Sequence, residues 1–324
     1  MNFYSTPIEA IGAGELAVVR AERLGSLDWM SYTEYGLGQA YQTAGYFRRA
    51  EQSFSRALGR LAQPEARVPF GSTTSLSLLC LMMKSIAHTC LAEADQAQLC
   101  QSQAVDLATS SRHPSDIIAA SYGRGFYQLR WGDMAEAHNT LTEVLNLARQ
   151  NEVRYFVPMI ACQLAKCVLM RGDASMAYDI LSAAKHEAET AGHTFGVLRA
   201  SNYLVFVLAQ LGDVSSAVKL ARSTRLAAEQ QGFKGLTAES LFAEAVTLWR
   251  DHAGNGEVKA LLLSAIEIAA KIEARLQMAA AKEVLAAVLV RDGNPLASRR
   301  ERDEASELIA NVKLTKPFHP IHYI

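Results

Sequence analysis

The chain has 324 residues, half of them hydrophobic, and its 32 basic and 33 acidic side chains leave a net charge of −1. This balance argues against a dedicated nucleic-acid binder, which usually carries a basic face. The most apolar stretch, 76–83, is too short to cross a bilayer, which takes about 20 residues, and the N-terminus lacks the basic-then-apolar order of a signal peptide. We therefore expect neither a nucleic-acid nor a membrane partner.

The sequence predicts helices along the whole chain, beginning with a single helix near 8–24. Insertions are expected at turns near 61–72 and 253–257, and an extended tail is expected at 314–324, which contains two prolines. No linker or low-complexity stretch divides the chain, so residues 1–324 are predicted to form one domain of repeats spanning about 31–313. The seven predicted helix pairs lie near 31–62, 73–110, 117–150, 157–190, 197–230, 236–273 and 276–313.

Small residues and turn residues recur at an interval of 40 in the middle of the chain. Glycine can end a helix in the left-handed conformation, and the aspartate after it can cap the next helix. The alanines allow paired helices to approach closely, so the pattern predicts an all-α, right-handed superhelix (an α-solenoid) of about seven antiparallel pairs. We call the helices before and after each turn the A and B helices. The recurring residues are Ala97, Ala137, Ala177 and Ala217; Ala108, Ala148, Ala188 and Ala228; and Gly132-Asp133, Gly172-Asp173 and Gly212-Asp213.

The first pair resembles a tetratricopeptide (TPR) repeat. Its signature positions are occupied by Leu37, Gly38, Tyr41, Ala50, Phe54 and Ala57, whereas Glu34 stands at the usual Trp position. The later pairs keep the small residues, and their period of 40 is similar to the long repeats that follow the ATPase domain in maltose-activator-type regulators and in class III adenylate cyclases. This resemblance implies the repeat portion of a bacterial signalling protein, without its ATPase or cyclase domain.

Catalytic and metal-binding motifs are absent from the sequence, which contains neither GxxxxGK[ST] nor HExxH. Cys80, Cys90 and Cys100 are ten residues apart, which leaves successive positions about 80° away from a whole number of turns on a helix. The isolated pair His319 and His322 is a weak metal motif. The sequence therefore predicts a non-catalytic protein without cofactor or metal. Its five cysteines, with no CxxC pair, indicate reduced thiols in the cytoplasm.

The candidate binding surface is the concave face of the solenoid, which the A helices line. Aromatic and Arg side chains are the types that anchor interfaces. Resemblance to clamp-type TPR proteins implies that Lys166, Arg199 and Asn202 could hold a peptide carboxylate. If the superhelix is tighter, the same faces pack against the next pair as core, and the sequence leaves this alternative open. The predicted groove residues are Tyr35, Gln39, Tyr122, Phe126, Arg130, Lys166, Arg199, Asn202, Phe206 and Gln210.

Two functions fit these observations. The first is a non-catalytic scaffold that holds a protein or peptide segment in its groove. The alternative is a regulatory or sensor repeat region of the ATPase-regulator or adenylate-cyclase type, separately encoded or truncated, that binds an effector. An open trough one peptide wide favours the scaffold, whereas a closed pocket lined by Tyr122, Phe126 and Phe206 favours the sensor. The sequence does not decide whether the protein forms a homo-oligomer.

Overall fold

The computed structural model of the chain describes residues 6–63, 74–131, 133–251 and 254–310, and these form fifteen α-helices with no strand. The expected tail 314–324, Gly132, residues 64–72 of the first expected insertion and residue 253 of the second lie outside the described residues. The helices are α1 (Pro7–Leu24), α2 (Leu27–Ala44), α3 (Phe47–Leu61), α4 (Leu76–Cys90), α5 (Ala94–Ser111), α6 (Pro114–Trp131), α7 (Met134–Gln150), α8 (Val157–Met170), α9 (Ala174–Thr190), α10 (Thr194–Gln210), α11 (Val214–Gln231), α12 (Lys234–Arg250), α13 (Asn255–Lys271), α14 (Arg275–Arg291) and α15 (Pro295–Leu308).

Helix α1 stands alone and is followed by seven successive helix pairs, from α2–α3 to α14–α15. The fold class predicted from the sequence, an all-α TPR-like solenoid, is confirmed. Helix α2 begins at Leu27, earlier than the expected start at 31, because the Ser26 hydroxyl accepts a hydrogen bond from the Trp29 amide and caps the helix there.

Turns between A and B helices use the expected chemistry. Gly172 and Gly212 have φ values of 94° and 88°, in the left-handed region that glycine tolerates. Asp173 Oδ1 then accepts a hydrogen bond from the Met176 amide at 2.9 Å, which satisfies one of the free donors at the start of α9.

B helices touch the rest of the solenoid along a narrow stripe of small residues. In α11 the buried residues are Ala217, Ala221, Thr224 and Ala228, which are spaced four, three and four apart and so share one face of the helix. The rest of α11 is exposed or half-buried. The B helices therefore form the outer, solvated layer.

A helices form the inner layer, and they are enclosed on nearly all sides. In α12 every residue from Gly235 to Leu248 is buried, because α12 packs against α10, α11, α13 and α14 and also touches α2. The last contact joins two parts of the chain that are far apart in sequence. Helix α4 of the second pair likewise touches α14 of the seventh. The superhelix is therefore tight enough for its first two pairs to meet its last two.

This closing contact forms a small interface of its own. A Cβ atom built on Gly45 would lie 2.9 Å from the backbone nitrogen of Gly235, so the two backbones nearly touch. Phe47 shares a buried apolar cluster with Ile272 and Ala274. Arg48 Nε lies 3.8 Å from Glu273 Oε2. The A helices consequently surround an enclosed space rather than an open trough.

Candidate functional site

The space enclosed by the A helices is a cavity of about 90 Å³, which we call the central cavity. Helices α2, α4, α6, α8, α10, α12 and α14 all contribute to its wall, so it is a product of the whole solenoid. Most of the wall is apolar or aromatic, and a few polar groups converge in it. The main lining side chains are Met82, Met83, Ile86, Tyr122, Phe126, Tyr155, Phe156, Met159, Phe195 and Leu236, together with Tyr35, Gln39, Gln42, Arg130, Arg199, Glu239 and Gln277.

Six of the ten groove residues predicted from the sequence lie in this wall. Gln39 Nε2 donates a hydrogen bond to the Tyr35 hydroxyl at 2.8 Å, which orients both side chains. The register of A-helix positions therefore brings residues from α2, α6 and α10 together. The six residues are Tyr35, Gln39, Tyr122, Phe126, Arg130 and Arg199.

The other four predicted residues lie elsewhere. Lys166 is buried, with its Nζ 5.9 Å from the centroid of the Tyr203 ring. Asn202 is buried and accepts a hydrogen bond from Ser240 Oγ at 2.6 Å. Phe206 packs against Phe242, with 6.4 Å between the ring centroids, and Gln210 is exposed at the end of α10. Lys166, Asn202 and Phe206 thus occupy inter-helix contacts, and the wall of the central cavity includes Tyr122 and Phe126 but not Phe206.

Aromatic rings form the largest part of the wall. The Tyr122 ring centroid lies 6.5 Å from that of Phe126 and 5.9 Å from that of Phe156. The guanidinium of Arg130 lies 4.4 Å from the centroid of the Phe126 ring, and that of Arg199 lies 4.9 Å from the centroid of Phe195. Cation–π contacts of this kind hold both Arg side chains against the wall.

Arg199 faces Glu239 across the wall, with Nη2 3.6 Å from Oε1. Burial by itself opposes the charged form of Arg199, but the carboxylate of Glu239 and nearby tyrosines outweigh it and raise the pKa of Arg199 above its ordinary value. Gln277 Nε2 donates to the same Glu239 oxygen at 3.0 Å. The cavity wall therefore contains a charged, hydrogen-bonded cluster contributed by α10, α12 and α14.

Four buried polar atoms of the wall have no hydrogen-bond partner among the described residues. They belong to Gln42 (Oε1), Arg199 (Nε), Glu239 (Oε2) and Gln277 (Oε1). Buried polar atoms in folded proteins nearly always have a partner, so a cluster of exceptions in one cavity needs a reason. A polar molecule bound in the cavity would satisfy these atoms.

Glu239 and Gln277 were missed by the sequence reasoning, which extended the groove register only through the fifth pair. The signal was present: Glu239 follows Arg199 by 40 residues, and Arg199 follows Met159 by 40. All three side chains line the central cavity. Applying the same period once more would have identified Glu239.

The described residues contain no group of three or more His, Cys, Asp or Glu side chains that could hold a metal ion. Burial raises the pKa of the Cys90 thiol, which lines the cavity, to about 11, so this thiol is protonated at neutral pH. No helix in the described part of the chain is long and apolar enough to span a bilayer.

No family model and no curated protein matches this sequence. Several solved structures share its fold. A Rap protein complexed with Competence and Sporulation Factor is 13% identical, with a TM-score of 0.69, over 88% of this chain and 76% of that chain. The Rap conjugation gene regulator of plasmid pLS20, in complex with the Phr* peptide, is 13% identical with a TM-score of 0.68, over 90% of this chain and 78% of that chain.

Aspartyl phosphate phosphatase F from Bacillus subtilis also shares the fold, at 9% identity and a TM-score of 0.59, over 93% of this chain and 76% of that chain. Its name is that of an enzyme, whereas the pLS20 protein is a conjugation gene regulator solved in complex with a peptide. At such low identities the similarity shows the fold alone. The chain therefore has a TPR-like helical-repeat fold.

Proposed function

We propose that this protein is a non-catalytic receptor of regulatory type that binds a peptide or peptide-like ligand in its central cavity. The observation that carries the proposal is the convergence of seven A helices on one cavity with aromatic walls and unpaired polar atoms. Ligand pockets are commonly built in this way, with apolar walls for contact area and a few polar groups for orientation.

The wall offers what a peptide-like molecule requires. Amide groups of a ligand need hydrogen-bond partners, which the Gln42 and Gln277 side chains can supply, and its side chains need apolar surface such as Phe126 and Phe195. A structural neighbour with the same fold was solved with the Phr* peptide bound. That the protein is located in the cytoplasm, and that it can form a homo-oligomer, are predictions from the sequence alone.

A sensor of a small effector is the second candidate, and the closing contact favours it. Phe47, Gly235 and Ala274, which form the closing contact, are also part of the cavity wall. While this contact is made, the cavity favours a small ligand or one end of a longer peptide. A peptide enclosed along its length would require this contact to open.

The test of the proposed function is a selection of displayed random peptides on the full chain, followed by titration calorimetry of the selected peptides. Met83 is half-buried in the cavity wall, so Met83→Trp fills part of the cavity. We expect this variant to bind the selected peptides at least tenfold more weakly. Met176→Trp, the same change at an exposed position of α9, should leave affinity unchanged.

Thermal melting of both variants checks that the fold is intact. Peptides that bind Met83→Trp as tightly as they bind the wild type would exclude the central cavity as their site. A selection that enriches no peptide, while small charged molecules do bind, would instead favour the small-effector sensor.

A further inference from the structure

Arg199 and Glu239 lie side by side in the wall of the central cavity without forming a short ion pair. Their closest atoms are 3.6 Å apart, which is longer than the roughly 2.7–2.9 Å of a charge-assisted hydrogen bond. Arg199 Nε and Glu239 Oε2 are buried, and neither has a hydrogen-bond partner among the described residues. Two adjacent groups of opposite charge therefore each keep one polar atom unused.

Arg130 adds a second positive charge to the same wall. It is only 4% exposed, and its Nη1 donates a hydrogen bond to the neutral side chain of Gln163 at 3.3 Å. None of the ion pairs found among the described residues includes Arg130. Since a buried charge without a counter-charge is unfavourable, the positive excess in this wall indicates a ligand that carries an anionic group.

Lys166 is buried nearby, but it does not line the central cavity. Its own burial, and then the positive charge of Arg130, lower the pKa of Lys166 below its ordinary value. Among the lining side chains, Arg130 and Arg199 stand against the single carboxylate of Glu239, which leaves one positive charge in excess. The lining therefore offers two cationic groups that a carboxylate can face, and one carboxylate that a cationic group can face.

We propose that the central cavity binds a free apolar α-amino acid, with its carboxylate at Arg199 and Arg130 and its ammonium group at Glu239. This inference rests on the ligand cavity of the proposed function and takes its second candidate, the sensor of a small effector, whose ligand it narrows to an amino acid. An α-amino acid carries both charges on one carbon, so they are adjacent, as the Arg199 and Glu239 side chains are. Its carboxylate can accept from the unused Nε of Arg199, and its ammonium group can donate to the unused oxygen of Glu239. The ligand has no net charge, so it matches the positions of the charged groups in the wall.

The rest of the cavity fits the side chain of such a ligand. Met82, Tyr122 and Phe126 form an apolar wall next to the charged groups, so an apolar or aromatic side chain is favoured over a polar one. Phe47, Gly235 and Ala274 belong to the closing contact and also line the cavity, so a longer peptide would need this contact to open. Charge and polarity of the cavity thus point to the same class of ligand.

The test uses four forms of phenylalanine on the full-length protein, with affinities measured by titration calorimetry. The free amino acid carries both charges, N-acetyl-phenylalanine only the carboxylate, phenylalaninamide only the ammonium group, and N-acetyl-phenylalaninamide neither. We expect the free amino acid to bind most tightly and each single block to weaken binding at least tenfold. A series of di-, tri- and pentapeptides with free ends tests length, and affinity should fall as length grows.

Variants assign each charge to its partner. Arg199→Gln should abolish the preference for a free carboxylate, and Glu239→Gln the preference for a free ammonium group. Removing one charge of a buried pair destabilises the fold. If a single variant has a lowered melting temperature, the double variant Arg199→Gln/Glu239→Gln replaces it. The double variant should lose both preferences. Arg124→Gln and Glu143→Gln, at exposed positions of α6 and α7, are the matched controls.

The wild-type series alone decides the proposal, whatever the variants do. If the doubly blocked form binds as tightly as the free amino acid or more tightly, the assignment of the two charged groups is wrong. Tighter binding of the longer peptides also contradicts the proposal. In both cases the ligand cavity of the proposed function stands. If neither these probes nor any selected peptide binds, both proposals are wrong.

Discussion

His193 is a buried imidazole at the start of α10, with its ring centroid 6.2 Å from that of Tyr155. Burial lowers its pKa from the ordinary 6.5 to about 4, because the charged form loses hydration. Between these two pH values the unfolded chain binds a proton that the folded chain does not. The contribution of a neutral His193 to the unfolding free energy is therefore fully present above pH 6.5 and is lost as the pH falls towards 4.

A pKa difference of this size corresponds to about 3 kcal/mol of unfolding free energy. We expect the wild type to lose stability between pH 7 and pH 4.5, and His193→Gln to lose less over the same range because glutamine does not titrate. Urea unfolding at several pH values measures the difference. His113→Gln, at an exposed histidine, is the control and should keep the wild-type pH dependence. Identical pH profiles for wild type and His193→Gln would contradict the assignment.

Individual cavity residues were predictable from the sequence where the repeat register alone decides which way a side chain points. Tyr122 and Arg130 follow that register and line the cavity. Phe206 and Lys166 follow it too, but each lies about two turns further along its helix than the lining residue Arg199 or Met159, and there it contacts a neighbouring helix. A single sequence contains the period of the repeat but not how far along each helix the cavity extends, so it could not separate groove from core.

At the scale of the helix pair, the sequence was more informative. The Gly-Asp turns specified where A helices end and B helices begin, because both residues act through their own backbone and side-chain chemistry. Helix starts such as Leu27 of α2 were less predictable, since a serine cap is only one of several polar residues near that boundary. Local chemistry thus determines the turns, and packing determines the rest.

Packing within a pair leads to a prediction about Ala177. This residue is fully buried on the stripe of α9 that includes Leu181 and Ala184. Ala177→Leu would insert three more heavy atoms into a close-packed contact and should destabilise the fold by about 1–3 kcal/mol. Chemical denaturation measures this loss. Ala183→Leu, at an exposed position of the same helix, adds the same atoms to solvent and should be nearly neutral; equal effects would mean that the stripe is not a contact.

At the scale of the whole molecule, the closing contact was beyond the reach of sequence patterns. The alanines and Gly-Asp turns describe one pair and its neighbour, whereas Gly45 and Gly235 belong to the first and sixth pairs. Small changes in the rotation between pairs, added over the length of the solenoid, decide whether these pairs meet. The enclosure of the central cavity, and with it the proposed preference for a small ligand, depends on the assembled superhelix.

Gly45 allows this closure to be tested in solution. Its φ of 95° is left-handed, and an added Cβ would lie 2.9 Å from the Gly235 nitrogen. Gly212 has a similar φ of 88°, but an added Cβ there would meet nothing within 4 Å. Gly212→Ala should therefore cost only the backbone strain, about 1–2 kcal/mol, whereas Gly45→Ala should cost about 1–3 kcal/mol more, because the first and sixth pairs must separate.

Small-angle scattering should accordingly show a larger radius of gyration for Gly45→Ala than for the wild type, with Gly212→Ala unchanged. Gly235→Ala is a second control, because its added Cβ would make only ordinary contacts at 3.7 Å or more with Gly45 and Phe47. Equal destabilisation and equal size for Gly45→Ala and Gly212→Ala would mean that the solenoid is open in solution. In that case the cavity would be a trough, and a longer peptide would become the better candidate ligand.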